Sequence, residues 1–109
     1  MIIELKKLKD KELNCIYKCL MQFAEYIANY EHQDSQDSKI RLSIINELTS
    51  NLAHKATSKT QPKKRKLKLY LHQAIVLSLS LKFQMDYGQT DQEQTSVATR
   101  LYYQLTPAI

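Results

Sequence analysis

The sequence predicts an all-α domain of about four antiparallel helices in a small bundle, and three observations support this fold class. Hydrophobic residues make up 43% and charged residues 25% of the 109 residues, which are the proportions of a globular protein. The chain has one glycine and two prolines, too few for the many turns of a β-sandwich or barrel. Apolar residues recur at helical spacing along most of the chain. The length suits a single domain that covers residues 1–109.

The first two helices are predicted from apolar residues at alternating intervals of three and four. This spacing runs over about residues 10–31 and again over about residues 38–56. Ser38 is a suitable N-cap for the second helix, because its hydroxyl can accept a hydrogen bond from an unpaired backbone N–H. Leu5 and Leu8 either extend the first helix backwards or form a separate turn.

The third segment, residues 63–87, carries two competing patterns. Leucines alternate with polar residues as in a strand, but the segment also fits helical spacing. Its leucine, lysine and glutamine content favours a helix, and Ile75 and Val76 are its only β-branched residues. We therefore expect one central helix that is apolar on nearly every side. Its seam would consist of Leu67, Leu71, Ala74, Ser78, Leu81 and Met85. The alternative is an α+β fold with a hairpin in residues 66–87.

The boundaries of the fourth helix follow from capping residues. Gly88 is expected to end the third helix in the left-handed conformation. Thr90 and Glu93 have the spacing of a capping box, which predicts a helix over about residues 91–105. Pro107 lacks a backbone N–H and stops this helix.

A basic segment separates the second and third helices, and no acidic residue lies between Glu47 and Asp86. Residues 57–66 are predicted to form a mobile basic loop. Clustered cations attract phosphates and release their counterions, so the segment is a candidate nucleic-acid-binding patch. The candidate anion-binding residues are Lys55, Lys59, Lys63, Lys64, Arg65, Lys66 and Lys68. The alternative interpretation is a solvated loop that keeps the protein soluble.

The compartment is predicted from the cysteines and from the apolar runs. Cys15 and Cys19 lie on one side of the first helix, where a disulfide is hard to form, so we expect reduced thiols in the cytoplasm. The run from Pro62 to Lys66 resembles a nuclear import signal, which predicts a nuclear location in a eukaryotic cell. No apolar run approaches the roughly 20 residues of a membrane span, so no membrane contact is expected. The three histidines lack zinc-site spacing, and we expect neither a metal nor another cofactor.

Arg65 and His72 form a second candidate site. The spacing Arg-x6-His resembles the Arg–x4–6–His signature of HEPN-type ribonucleases, which are small all-helical domains that usually pair. The resemblance implies that both side chains converge on a phosphate and that His72 transfers a proton. It covers two residues and the fold class, and Lys66 stands where the family usually has a polar residue. The alternative interpretation is an exposed histidine beside a basic turn.

Seven tyrosines are too many for one small core to bury with every hydroxyl paired. The candidate interface residues are Tyr26, Tyr30, Tyr102 and Tyr103. The leading hypothesis is therefore a small non-enzymatic helical protein that self-associates as a homo-oligomer and acts by binding a macromolecular partner, most simply a protein. One alternative is a nucleic-acid-binding protein that uses the patch in residues 55–68. A further alternative is a HEPN-like ribonuclease.

Overall fold

A computed structural model describes residues 2–30, 36–56, 65–88 and 91–109. Over these residues the chain is mostly helical, with four α-helices and one two-stranded antiparallel sheet. The elements in chain order are β1 (Ile2–Leu8), α1 (Asp10–Tyr30), α2 (Gln36–Ala56), β2 (Arg65–Tyr70), α3 (Leu71–Tyr87), α4 (Gln92–Leu105) and a short 3-10 turn (Thr106–Ala108).

The mostly helical fold and the four helices are confirmed, but the small sheet means that the fold is not purely all-α. The α+β alternative fits better, although its hairpin within residues 66–87 is not formed. Instead β2 pairs with the N-terminal strand β1, so that Ile3 faces Leu69 and Leu5 faces Leu67. The register shifts between Leu5 and Leu8, where the pairing is irregular.

Alternation along both strands explains why they lie on the helices. Ile3 and Leu5 of β1, together with Leu67 and Leu69 of β2, are buried in the core. The residues between them are charged and exposed. Leu8 is also buried, so the N-terminal leucines serve the sheet and not the first helix. Alternation of buried and exposed residues is typical of a strand. Here it outweighs the helical preference of leucine and lysine, because each strand supplies backbone hydrogen-bond partners to the other.

The ends of α1, α2 and α4 differ from the predicted ends by a few residues at most. Ser38 is buried inside α2, which begins two residues earlier, so it is not the N-cap. Asp91 caps α4, since its Oδ1 accepts a hydrogen bond from the Gln94 N–H at 2.9 Å. The predicted cap residue Thr90 lies outside the described residues. Pro107 follows the end of α4 as expected.

Helix α3 lies at the centre of the fold, as its apolar composition predicts. It packs against α1, α2, α4 and both strands. It begins at Leu71 and not near residue 63, because β2 takes up the residues before it. At its start the Tyr70 N–H donates to Gln73 Oε1 at 3.0 Å. Its buried residues are Gln73, Ala74, Val76, Leu77, Ser80, Leu81 and Gln84.

A buried glutamine fixes the connection between α3 and α4. Gln84 Nε2 donates to the Gly88 carbonyl and to Thr95 Oγ1, each at 3.1 Å. Gln84 Oε1 accepts from Gln94 Nε2 at 3.0 Å. Gly88 has a φ of −91°, so it is not in the left-handed conformation predicted for it. Glycine is needed here because a Cβ would lie 2.7 Å from the Gln84 carbonyl oxygen and would overlap the Gln84 side chain.

Two leucines distinguish the observed sheet from the single-helix prediction. Leu69 is fully buried and Leu71 is 41% exposed, whereas a helix from residue 63 would place Leu71 in its seam. We expect Leu69→Ala to lower the free energy of unfolding by about 2–5 kcal/mol. The matched variant Leu71→Ala should lower it by about 1 kcal/mol or less. Urea unfolding of dilute protein, followed by circular dichroism, measures both values, and the reverse order would contradict the sheet.

The glutamine network gives a second stability prediction. Gln84→Ala removes the hydrogen bonds to Gly88, Thr95 and Gln94 from a site where Gln84 is only 2% exposed. We expect a loss of about 1–3 kcal/mol in the free energy of unfolding, because buried polar groups lose their partners. Gln104→Ala is the control, since Gln104 is exposed on α4. Equal urea midpoints for the two variants would show that the network does not stabilise the fold.

Candidate binding surfaces

Two lysines of the predicted basic patch are described with their side chains. Lys66 and Lys68 lie on β2 and are exposed. The predicted loop over residues 57–66 is therefore too long at its end, because Arg65 and Lys66 belong to the strand. Outside the described residues or side chains lie Lys55, Lys59, Lys63, Lys64 and Arg65. The binding role of the patch stays a prediction.

The solvent-facing side of the sheet brings these lysines together with residues that the sequence did not single out. We call it the sheet face, and it consists of Ile2, Glu4, Lys6, Lys66, Lys68 and Tyr70. All six residues are exposed, and Glu4 is the register partner of Lys68. At one end of this face the Tyr70 and His72 rings are parallel within 4°, with centroids 5.9 Å apart. The sheet face could not be predicted from the sequence, because it depends on the antiparallel pairing of β1 with β2.

The helix that would place Arg65 and His72 on one face is not formed. Arg65 begins β2, and His72 lies in the first turn of α3, where it is exposed. The Arg65 side chain is outside the described part of the chain. A catalytic role for the two residues stays a prediction without a geometry that supports it.

An apolar groove lies between the N-terminal half of α2 and the outer side of α3. It has a volume of about 340 Å³. Its lining consists of Asp37, Ile40, Arg41, Ile44, His72, Ile75, Val76 and Leu79. Leu71 adjoins it on the same row of α3, one turn before Ile75. This groove was not predicted from the sequence, although Ile75, Val76 and Leu79 are apolar residues outside the predicted α3 seam and were a signal for it.

The candidate interface tyrosines whose side chains are described differ in exposure. Tyr26 is half-buried against Phe83, with ring centroids 4.9 Å apart. Tyr102 is also half-buried against the core, while its neighbour Tyr103 is 65% exposed. The Tyr30 side chain lies outside the described residues. An interface role for these residues stays a prediction.

Cys15 and Cys19 are free, buried thiols on one side of α1, as predicted. Their sulfur atoms are 3.9 Å apart, and Cys15 Sγ also donates to the Gln94 carbonyl at 3.5 Å. The hydrogen bond from Cys19 lowers the pKa of Cys15, because it stabilises the Cys15 thiolate. The same hydrogen bond, together with burial, raises the pKa of Cys19. Among the described residues, no group of three or more His, Cys, Asp or Glu side chains is arranged to hold a metal ion.

A second charged region, a pocket beside the start of α1, contains two ion pairs. Lys11 Nζ lies 2.6 Å from Glu93 Oε1, and Arg100 Nη2 lies 3.2 Å from Glu12 Oε2. Both pairs tie the start of α1 to α4. Lys6 and Lys9 add positive charge to this pocket, but its described lining residues, unlike those of the sheet face, include no aromatic ring.

Comparison with known proteins adds no relative to these observations. No family model matches the chain, and no curated protein or solved structure matches it either. Among the described residues, no helix is both long and apolar enough to cross a membrane. The surfaces of the described residues that could bind a partner are the apolar groove and the sheet face.

Proposed function

We propose that this protein is a non-enzymatic binding protein that forms a homodimer through the apolar groove. The observation that carries the proposal is a set of large aliphatic side chains left in water on two neighbouring helices. Leu71 and Ile75 are each 41% exposed, Leu79 is 38% exposed, and Ile40 on α2 is 57% exposed. Single exposed leucines are ordinary, but a contiguous apolar patch marks an interaction surface.

The pattern along α3 favours a second copy of the chain as the occupant. Leu71, Ile75 and Leu79 are spaced four residues apart, so they form one row along the helix. The row reads Leu–Ile–Leu in both directions. When two copies of α3 pack antiparallel about a two-fold axis at Ile75, each Leu71 meets the partner's Leu79. A two-fold interface requires this kind of self-complementary surface.

Charge on the groove also suits a second copy. Asp37 and Arg41 both line it, so the groove carries one negative and one positive group. A surface of one sign would repel its own copy, whereas a surface with both signs does not. The dimer would thereby cover apolar side chains and leave each copy's sheet face available to a further partner.

The proposed interface uses the groove and not the predicted tyrosines. Tyr26 and Tyr102 already pack against the core, so they have less area left to bury. We therefore propose that self-association uses the apolar residues of α2 and α3 and not the tyrosines. The two free thiols support the related proposal that the protein works in the reducing cytoplasm.

Sedimentation equilibrium tests the dimer with one substitution at its centre. The wild-type protein should have twice its chain mass of 12.8 kDa. Ile75→Glu should be monomeric, because the two carboxylates would face each other across the two-fold axis. Since Ile75 is exposed in one copy, the variant should keep the helical circular-dichroism spectrum of the wild type.

Met21→Glu is the matched control, because Met21 is 47% exposed on α1 and does not line the groove. It should remain dimeric. A wild-type chain that stays monomeric at millimolar concentration would refute the proposal. If the protein stays dimeric with Ile75→Glu but becomes monomeric with Tyr103→Ala, the interface lies at the tyrosines and not at the groove.

A further inference from the structure

The sheet face is basic because of strand geometry. Side chains two residues apart on a strand point to the same side, about 6.6–6.8 Å apart. Lys66 and Lys68 therefore lie together on the outer side of β2, while Leu67 and Leu69 between and beyond them are buried. Lys6 of β1 is exposed at the edge of this face and also lines the pocket beside the start of α1. Glu4, opposite Lys68, is the only acidic residue of this face, so the sheet face has an excess of positive charge.

Aromatic rings lie at the end of the same face. Tyr70, the last residue of β2, is 57% exposed. Its ring is parallel to that of His72, which is also exposed. Both rings are positioned by the junction of β2 and α3, where the Tyr70 N–H is held by the Gln73 side chain. The rings therefore form a stacking platform beside the lysines.

We propose that the sheet face binds single-stranded nucleic acid. Lys66 and Lys68 contact successive phosphates, Lys6 adds positive charge at the edge of the face, and an unpaired base stacks against the open side of the Tyr70 ring. Lysines that follow a backbone, together with exposed aromatic rings, are the combination by which proteins bind single strands without strong sequence preference.

The aromatic platform favours a single strand over two other polyanions. In a duplex the bases are already stacked and paired, so their faces are not accessible to Tyr70. An acidic peptide would be attracted by the lysines, but it has no bases that could stack against the two rings. Binding to the sheet face should therefore depend on both the lysines and Tyr70.

Fluorescence anisotropy with a labelled oligouridylate RNA and a labelled oligothymidylate DNA tests the lysines. We expect the full-length protein to bind both, with affinity that falls as salt rises. The double variant Lys66→Gln, Lys68→Gln should bind more weakly. Its slope of log affinity against log salt should be flatter by about 0.7 for each phosphate that the variant no longer neutralises. The control is Lys18→Gln, Lys39→Gln, which has the same net charge but changes exposed lysines on α1 and α2. It should keep nearly the wild-type slope.

Substitutions of Tyr70 test the stacking. Tyr70→Ala should weaken binding by roughly five- to 100-fold, because a base loses the ring against which it stacks. The salt slope should change little, since the lysines still neutralise the phosphates. Tyr70→Phe should bind like the wild type. Tyr103→Ala is the control, since Tyr103 is an equally exposed tyrosine on α4.

Several results would overturn the proposal. One is the absence of binding at low salt, and another is an equal loss of affinity in the two double-lysine variants. A third is wild-type binding by Tyr70→Ala together with full competition by polyaspartate, which would mean a site for acidic peptides. Ile75→Glu separates this proposal from the dimer, because it changes the groove and leaves the lysines and Tyr70 of the sheet face unchanged. A monomeric wild-type protein that binds RNA would refute the dimer proposal and leave the nucleic-acid proposal standing.

Discussion

The fold depends on one constraint, which is that α3 is apolar on almost every side. One neighbouring element cannot bury all the apolar surface of such a helix, so α1, α2, α4 and the sheet all pack around it. Its few buried polar groups are paired locally; Ser80 Oγ donates to the Val76 carbonyl at 2.9 Å, and Gln84 bridges to α4. Four surrounding elements still leave the row of Leu71, Ile75 and Leu79 uncovered. The apolar groove and the core therefore have the same origin: α3 has more apolar surface than its neighbours cover.

The sheet joins two segments that are separated along the chain by both α1 and α2. Closing such a large loop costs conformational entropy, and burial of Ile3, Leu5, Leu67 and Leu69 offsets it. Strand alternation turns the intervening residues outward. Burial of the leucines and exposure of the lysines are thus two results of one pairing, so the basic face depends on the stability of the sheet.

The two surfaces meet at the start of α3. His72 lines the apolar groove on one side and stacks against Tyr70 on the other. Tyr70 ends β2, and the next residue begins α3, so no flexible linker separates the surfaces. A molecule bound at the sheet face and a second copy at the groove would therefore be close neighbours around His72.

Short-range patterns in the sequence determined most of the helical structure. The apolar spacing of α1, the end of α4 before Pro107 and the position of Cys15 and Cys19 on one side of α1 all follow from residues within a few turns of each other. The central place of α3 also follows from its composition. These features were predictable because helical spacing and local hydrogen bonds act within one segment.

Only the tertiary structure decided where α3 begins and where the binding surfaces lie. Residues 65–70 have helical and strand patterns together, and the choice depends on whether β1 supplies a partner strand. The same pairing places Glu4 opposite Lys68 and turns Lys66 and Lys68 outward, which no pattern within either segment could indicate. Likewise, the groove exists because α2 and α3 leave one row of aliphatic residues uncovered. The physical reason is that both features are contacts between segments far apart in sequence, whose free energy no local propensity contains.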